Sequence, residues 1–173
     1  PPGGALPADR PYPFETVQPV RDGYTDRNGV RCWYAVWGDA GPWLAFAPIY
    51  QVTHTGVLKA AVPYLSRHFR VVTMDGRGNG RSDRPADAAA YSFDEYYGDF
   101  VAVLDAVGAD RVAVVGISAT AMTALRLAAE QPARVSHLIV AGGFAESLLD
   151  RPERVEAARK QLESMHQDWP AHL

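Results

Sequence analysis

The sequence is poor in three features that mark particular classes of protein: cysteine, long apolar runs and an excess of positive charge. Its single cysteine, Cys32, excludes an internal disulfide framework and any metal site built from several cysteines. No apolar run is long enough to span a membrane, and the N-terminus lacks the pattern of a secretory signal. With a formal net charge of -3 and interspersed charges of both signs, the chain has no basic surface for nucleic acid. These absences predict a cytoplasmic protein that binds neither nucleic acid nor membrane.

The composition is that of a globular protein, with 47% hydrophobic and 21% charged residues among 173. Residues 1–16 hold five prolines and predict an extended N-terminal arm on the surface. Residues 17–145 form the predicted core, and the more polar residues 146–173 predict the start of a helical cap, a lid or a tail. The first residue is proline, so we expect that the chain was processed or begins within a longer protein.

Short apolar runs alternate with segments of helical spacing along the core. An Arg27-Asn28-Gly29 turn between the first two runs indicates a hairpin, because Asn-Gly accepts positive φ angles. The order predicts an α/β fold: a mostly parallel sheet with helices on both faces and an antiparallel hairpin at the N-terminal edge. The predicted strands cover residues 17–20 extending towards 24, 31–37, 43–49, 69–74, 112–117 and 135–141, and the predicted helices cover 57–68, 93–107 and 119–130.

The glycine-rich stretch from Asp75 to Pro85 follows a predicted strand. Its aspartate and arginines allow two interpretations: a phosphate or substrate site, or a self-contained loop in which they bond to each other and to backbone amides. We favour the second, because charged loop residues usually pair locally or face water. The glycines match neither a P-loop nor a dinucleotide-binding fingerprint.

Ser118 lies between a buried strand and an Ala/Leu-rich helix, in the run Gly116-Ile-Ser-Ala-Thr120. A serine on such a turn is lifted clear of the sheet, beside free N–H groups at the helix start, and can act as a nucleophile. The same residue can instead simply cap the helix, since serine is a preferred N-cap. The local residues leave both interpretations open.

Together, Asp75-Gly-Arg-Gly-Asn-Gly-Arg-Ser82 and Gly116-Ile-Ser-Ala-Thr120 resemble the α/β-hydrolase family, whose serine members carry a GxSxG nucleophile elbow in this place. The resemblance implies that Ser118 is the nucleophile. It also implies an oxyanion hole formed by the backbone N–H of Ala119 and one from Ile49 or Tyr50. Thr120 stands where the elbow usually has its second glycine. A side chain there can crowd the turn, although small residues are tolerable in principle, and the sequence leaves both outcomes open.

The family's triad continues with an acid and then a histidine, and this is where the sequence departs from the pattern. After Ser118 the histidines are His137, inside a predicted strand, and His166 and His172, in the polar tail. Glu146 occupies a place that some members use for the triad acid. We therefore expect the N-terminal part of an α/β-hydrolase, truncated before its remaining strands and its base.

The leading hypothesis is a serine hydrolase that cleaves an ester, thioester or related acyl bond of a small molecule, with no cofactor and no metal. The alternative is a non-catalytic α/β-hydrolase-like module for binding or interaction, motivated by the absent histidine and by Thr120. A sheet that ends with residues 135–141 would expose an apolar edge. We expect such an edge to favour a homo-oligomer or pairing with a complementing chain.

Overall fold

A computed structural model describes residues 17–48 and 54–143, together with helical residues Glu153, Val155, Glu156, Lys160 and Glu163. The chain divides into two units, Pro1–Gly143 and Phe144–Leu173. In the first, the strands are β1 (Arg21–Arg27), β2 (Val30–Trp37), β3 (Trp43–Phe46), β4 (Arg70–Met74), β5 (Val112–Ile117) and β6 (Val135–Ala141). The α-helices are α1 (Val62–Leu65), α2 (Phe93–Val107) and α3 (Ala121–Glu130), and short 3₁₀ helices cover Thr55–Leu58, Ala88–Tyr91 and Ser118–Thr120.

The six described strands form one sheet in the order β1-β2-β4-β3-β5-β6. β1 pairs with β2 and β2 with β4 in antiparallel fashion, whereas β4 with β3, β3 with β5 and β5 with β6 are parallel. This confirms the predicted mixed sheet with an antiparallel hairpin at its N-terminal edge. The parallel strands end at one edge, where ligand sites of such sheets are built.

The β1–β2 hairpin turns at the predicted residues, with φ of 55° at Asn28 and 75° at Gly29. The predicted extent of the first strand was wrong, because β1 begins at Arg21 and not at residue 17. β1 lies at the edge of the sheet and is largely exposed, so backbone pairing with β2 and not apolar patterning defines it.

The core lies on both faces of the sheet. On one face, α2 and α3 cover β2, β3, β4 and β5, and the buried side chains there include Val72, Phe100, Leu104, Val114 and Leu127. On the other face, residues 55–65 cover a smaller cluster formed by Leu44, Phe46, Leu58, Val62, Val71 and Ala113. The predicted covering of both faces is thus observed.

The helix α2 follows its sequence signals closely. Ser92 Oγ accepts a hydrogen bond from the Glu95 N–H at 3.3 Å, and Gly108 ends the helix with a φ of 74°. Residues 57–68 were predicted as a helix or a short helical segment that Pro63 kinks or divides, and the segment is helical in two short pieces. It is split into the 3₁₀ helix Thr55–Leu58 and α1, whose first turn contains Pro63. Proline is tolerated there and would break a longer helix.

β6 has a neighbouring strand on one side only among the described residues. Its side chains Leu138, Ile139 and Val140 are 38%, 48% and 42% exposed. The described sheet therefore has an apolar edge beside β5. In the part of the chain that the structure describes, no helix is long and apolar enough to cross a membrane.

Candidate active site

Ser118 follows the buried strand β5 and has a φ of 53°, in the left-handed region. The other non-glycine residue with positive φ in the described part of the chain is Asn28, at a hairpin turn. A left-handed serine costs about 1–2 kcal/mol, so the surrounding structure must hold it there. Its side chain is exposed, and its hydroxyl has no hydrogen-bond partner among the described residues. An exposed hydroxyl on strained backbone is the arrangement of a nucleophile elbow.

Glycine is required where β5 meets α3. A Cβ at Gly116 would lie 2.6 Å from Ala121 Cα and 2.9 Å from Ala124 Cβ. A Cβ at Gly143, just past β6, would clash with Ala121 Cβ. Both glycines let the start of α3 approach the ends of the strands, which packs the turn at Ser118 closely against the sheet.

The turn accommodates Thr120, the second of the two outcomes that the sequence left open. Its side chain is 5% exposed and its backbone is right-handed helical, with a φ of -72°. Its Oγ1 accepts a hydrogen bond from the Ile117 N–H at 2.8 Å and donates one to the Ile117 carbonyl at 3.0 Å. The hydroxyl therefore binds the residue just before Ser118 at both of its backbone polar groups.

Of the predicted oxyanion donors, Ala119 lies among the described residues. Ala119 lies in the 3₁₀ turn that leads into α3, where the first N–H groups of a helix have no partner within the helix. Such groups are positioned to stabilise developing negative charge. The predicted donors Ile49 and Tyr50 and the predicted acid Glu146 lie outside the described residues, so their roles stay predictions.

Among the described residues, no histidine is hydrogen-bonded to Ser118. His137 is exposed in β6 and pairs with Ala113, near the amino end of β5. Ser118 is five positions further along the chain than Ala113, which corresponds to a distance of about 16 Å at ~3.3 Å per residue. His54 follows β3, and its Nδ1 accepts a hydrogen bond from the Gly56 N–H at 3.1 Å. His166 and His172 lie outside the described residues.

The loop after β4 is hydrogen-bonded, as the favoured interpretation predicted, but it is not self-contained, because it also bonds to other segments of the chain. The Asp75 side chain is buried, and its two oxygens accept hydrogen bonds from the N–H groups of Thr55, at 2.8 Å, and Arg81, at 3.0 Å. Ser82 Oγ donates to the Asp75 carbonyl at 2.6 Å and accepts from the Trp33 N–H at 2.9 Å. The loop thereby joins β2, β4 and the segment after β3.

Arg77 in the same loop forms an ion pair that the sequence did not predict. It pairs with Asp99 of α2 and also contacts Glu95 at 3.0 Å. The hydrogen bond to Asp99 holds the pKa of the Arg77 guanidinium above its usual value. Cys32 Sγ donates to the same carboxylate at 3.2 Å, and burial raises the pKa of its thiol. Cys32 thus lies within the predicted strand 31–37, and its burial and raised pKa make it an unreactive thiol.

A cavity of about 350 Å³ lies against β2 and β4. Its walls include Trp33, Trp37 and Thr73, and His54 and Arg81 also line it. The Arg81 guanidinium lies 4.6 Å from the centre of the Trp33 ring. Ser118 does not line this cavity, so the cavity gives no direct support for a substrate pocket at the serine.

Comparison with known proteins identifies the family of this chain. Residues 56–171 match the family model described as alpha/beta hydrolase fold, which is more than half of the chain. The chain belongs to this family, in agreement with the resemblance of its two motifs.

The relatives that the chain resembles are named hydrolases or lactone-degrading enzymes. It is 40% identical over 81 residues to a putative carbamate hydrolase RutD of Caulobacter segnis, covering 47% of this chain and 30% of the relative. It is 32% identical over 124 residues to 3-oxoadipate enol-lactonase 1 of Acinetobacter baylyi, covering 68% of this chain and 46% of the relative. The solved structure of Est816, described as an N-acyl homoserine lactone degrading enzyme, superimposes with a TM-score of 0.63 at 32% identity. The match covers 70% of this chain and 45% of Est816. The chain thus spans less than half the length of these relatives.

Proposed function

We propose that Ser118 is the nucleophile of a serine hydrolase that cleaves an ester, thioester or related acyl bond of a small molecule. The observation that carries the proposal is the left-handed backbone of an exposed serine at the junction of β5 and α3. A capping serine has extended backbone, as Ser92 has with its φ of -66°, and its hydroxyl binds a helix amide. Ser118 differs from Ser92 in both respects.

The reaction follows from the position of the serine. Ser118 Oγ attacks the carbonyl carbon of the substrate and passes its proton to a base, and the carbonyl oxygen becomes an oxyanion. The Ala119 N–H and a second amide, from Ile49 or Tyr50, stabilise that charge. When the oxyanion collapses, the bond to the leaving group breaks, the base returns its proton to that group, and an acyl-enzyme remains. Water then attacks the acyl-enzyme, which releases the acid and restores the Ser118 hydroxyl. A histidine base and an acid, with Glu146 the predicted acid, complete the site outside the described residues.

The relatives support the acyl-bond class. A carbamate, an enol-lactone and an N-acyl homoserine lactone are the compounds in their names, and each contains a carbonyl carbon bonded to a heteroatom. Two of the three are lactones, which are cyclic esters. We therefore expect small esters and lactones to be the first substrates to test.

Hydrolysis of p-nitrophenyl acetate and of γ-butyrolactone by the intact protein tests the proposal. We expect turnover that Ser118→Ala lowers at least about a thousandfold, since a triad nucleophile acts as part of one unit. Ser136→Ala in β6 makes the same chemical change on a neighbouring strand and should leave turnover unchanged. Equal turnover in wild type and Ser118→Ala would refute the role of Ser118.

A second candidate is a non-catalytic binding module with the α/β-hydrolase fold. The observation that favours it is that no histidine among the described residues is hydrogen-bonded to Ser118. This candidate predicts no turnover of either substrate, together with saturable binding of a small acyl compound that Ser118→Ala leaves intact. Isothermal titration with the same esters and lactones separates the two candidates.

A further inference from the structure

We infer that Thr120 is a positioning residue, whose hydroxyl holds the backbone of the turn in the conformation that presents Ser118 for attack. The inference rests on the proposed function for its consequence in catalysis, but not for the structural contact itself. Thr120 stands at the position where the elbow of serine hydrolases usually has glycine, so this device belongs to this chain and not to the general motif.

The contact closes a ring around Ser118. Thr120 lies two residues after the serine, and its Oγ1 binds both the N–H and the carbonyl of Ile117, one residue before it. A hydroxyl carries one donor and two acceptor sites, so a single oxygen can make both bonds at once. The residues on either side of Ser118 are thereby joined across it by a side chain, in addition to the main chain.

The contact is partly shielded from water. Thr120 is 5% exposed, whereas Ile117 and Ser118 are both exposed. A polar group that is buried and loses its partner pays for desolvation, so loss of the contact is costly on the Thr120 side. Breaking the contact between the Thr120 hydroxyl and Ile117 is therefore unfavourable. The contact opposes relaxation of the turn towards the extended backbone that Ser118 would otherwise prefer.

The positioning has a kinetic consequence. Attack by Ser118 Oγ requires that the hydroxyl and the Ala119 N–H face the same carbonyl group, and small misplacements of such groups are costly. Loss of the Thr120 hydroxyl should lower the rate of the attack step and have little effect on initial binding, because Thr120 is buried and its hydroxyl bonds to Ile117. A residue with a purely structural role would lower stability and leave this rate unchanged in the folded protein.

Three variants of the intact protein test the inference. Thr120→Val replaces the hydroxyl by a methyl group of similar size, Thr120→Ser keeps the hydroxyl, and Thr120→Ala gives a second hydroxyl-free protein if the valine variant does not fold. Two readouts are needed: amide hydrogen exchange at Ile117, and the rate of labelling by a fluorophosphonate probe, resolved into a binding constant and a maximal rate. Circular dichroism at the assay temperature confirms that each variant is folded.

We expect Thr120→Val to speed exchange at Ile117 and to lower the maximal labelling rate roughly tenfold, because both hydrogen bonds to Ile117 are lost, with the binding constant nearly unchanged. Thr120→Ser should recover most of both losses. Unchanged exchange at Ile117 in Thr120→Val would overturn the inference whether or not the protein is an enzyme. Faster exchange with an unchanged labelling rate would overturn the positioning role while the proposed function stands. Absence of labelling in the wild-type protein would overturn the proposed function and the kinetic role of Thr120 together.

Discussion

Arg77 and Asp99 form a two-point salt bridge in the interior of the protein, with Nε to Oδ2 at 2.7 Å and Nη2 to Oδ1 at 2.8 Å. Each side chain is 1% exposed. The remaining donor of the arginine, Nη1, binds the Ala90 carbonyl at 2.7 Å. Since Arg77 follows β4 and Asp99 lies in α2, the pair fixes the loop at the carboxyl edge of the sheet to the helix that covers one face.

Arg77→Leu should destabilise the fold by about 3 kcal/mol or more, because it leaves the Asp99 carboxylate buried without its main partner. Urea unfolding followed by circular dichroism measures the change. The matched control is Arg31→Leu, which breaks the exposed pair between Arg31 and Asp83 and should have a much smaller effect. Equal losses in the two variants would mean that burial of the Arg77–Asp99 pair is not what makes it important.

Gly116→Ala should destabilise the protein by about 1–3 kcal/mol, because the added methyl meets the backbone of α3 at Ala121 and overpacks the strand–helix contact. We also expect it to slow any reaction at Ser118, two residues later. Gly56→Ala is the control, since a Cβ there meets only the ring of the exposed His54 side chain, which can turn away. Thermal unfolding of both variants checks the prediction, and a stable Gly116→Ala protein would contradict the close packing at the turn.

Glu95 should make the stability of the fold depend on pH. Its side chain accepts a hydrogen bond from Arg27, and this bond lowers the pKa of Glu95 below the ordinary value of 4.5. A lowered carboxyl pKa stabilises the folded state above the unfolded pKa, and that stability is lost as pH falls through the folded pKa. Glu95→Gln should therefore be less stable than wild type at pH 7, and the difference should shrink at pH 3. A difference in urea midpoint that is constant across this range would contradict the role of the charge.

The sequence predicted those elements whose structure depends on residues that are close together in the chain. The β-branched run before Gly116 and the Ser92 cap of α2 set their elements locally, so β5, α2 and the turn at Ser118 could be predicted. The run Ser92-Phe-Asp-Glu95 also predicts a capping box, in which the Glu95 side chain accepts a hydrogen bond from the Ser92 N–H in return, and this half of the prediction was wrong. Glu95 does not return to the Ser92 N–H, because its carboxylate binds Arg27 and Arg77, which are distant in sequence.

The contacts that shape the candidate site depend on partners that a linear pattern does not show. Arg77 finds Asp99 on a helix, and the Asp75 carboxylate finds the Thr55 N–H beyond another strand. Thr120 was visible as a departure from the glycine pattern, but its rotamer decides whether it crowds the turn or binds Ile117. In these cases tertiary packing, and not local propensity, determines the outcome.

Labelling of the intact protein with a fluorophosphonate probe, followed by mass spectrometry of the modified peptide, tests the central claim most directly. The account predicts one phosphonylated residue, Ser118, and no labelling in Ser118→Ala or after unfolding in urea. Ser136→Ala should label at the wild-type rate. A folded wild-type protein that remains unlabelled, or that is labelled at another serine, would contradict the claim that Ser118 is the nucleophile of a serine hydrolase.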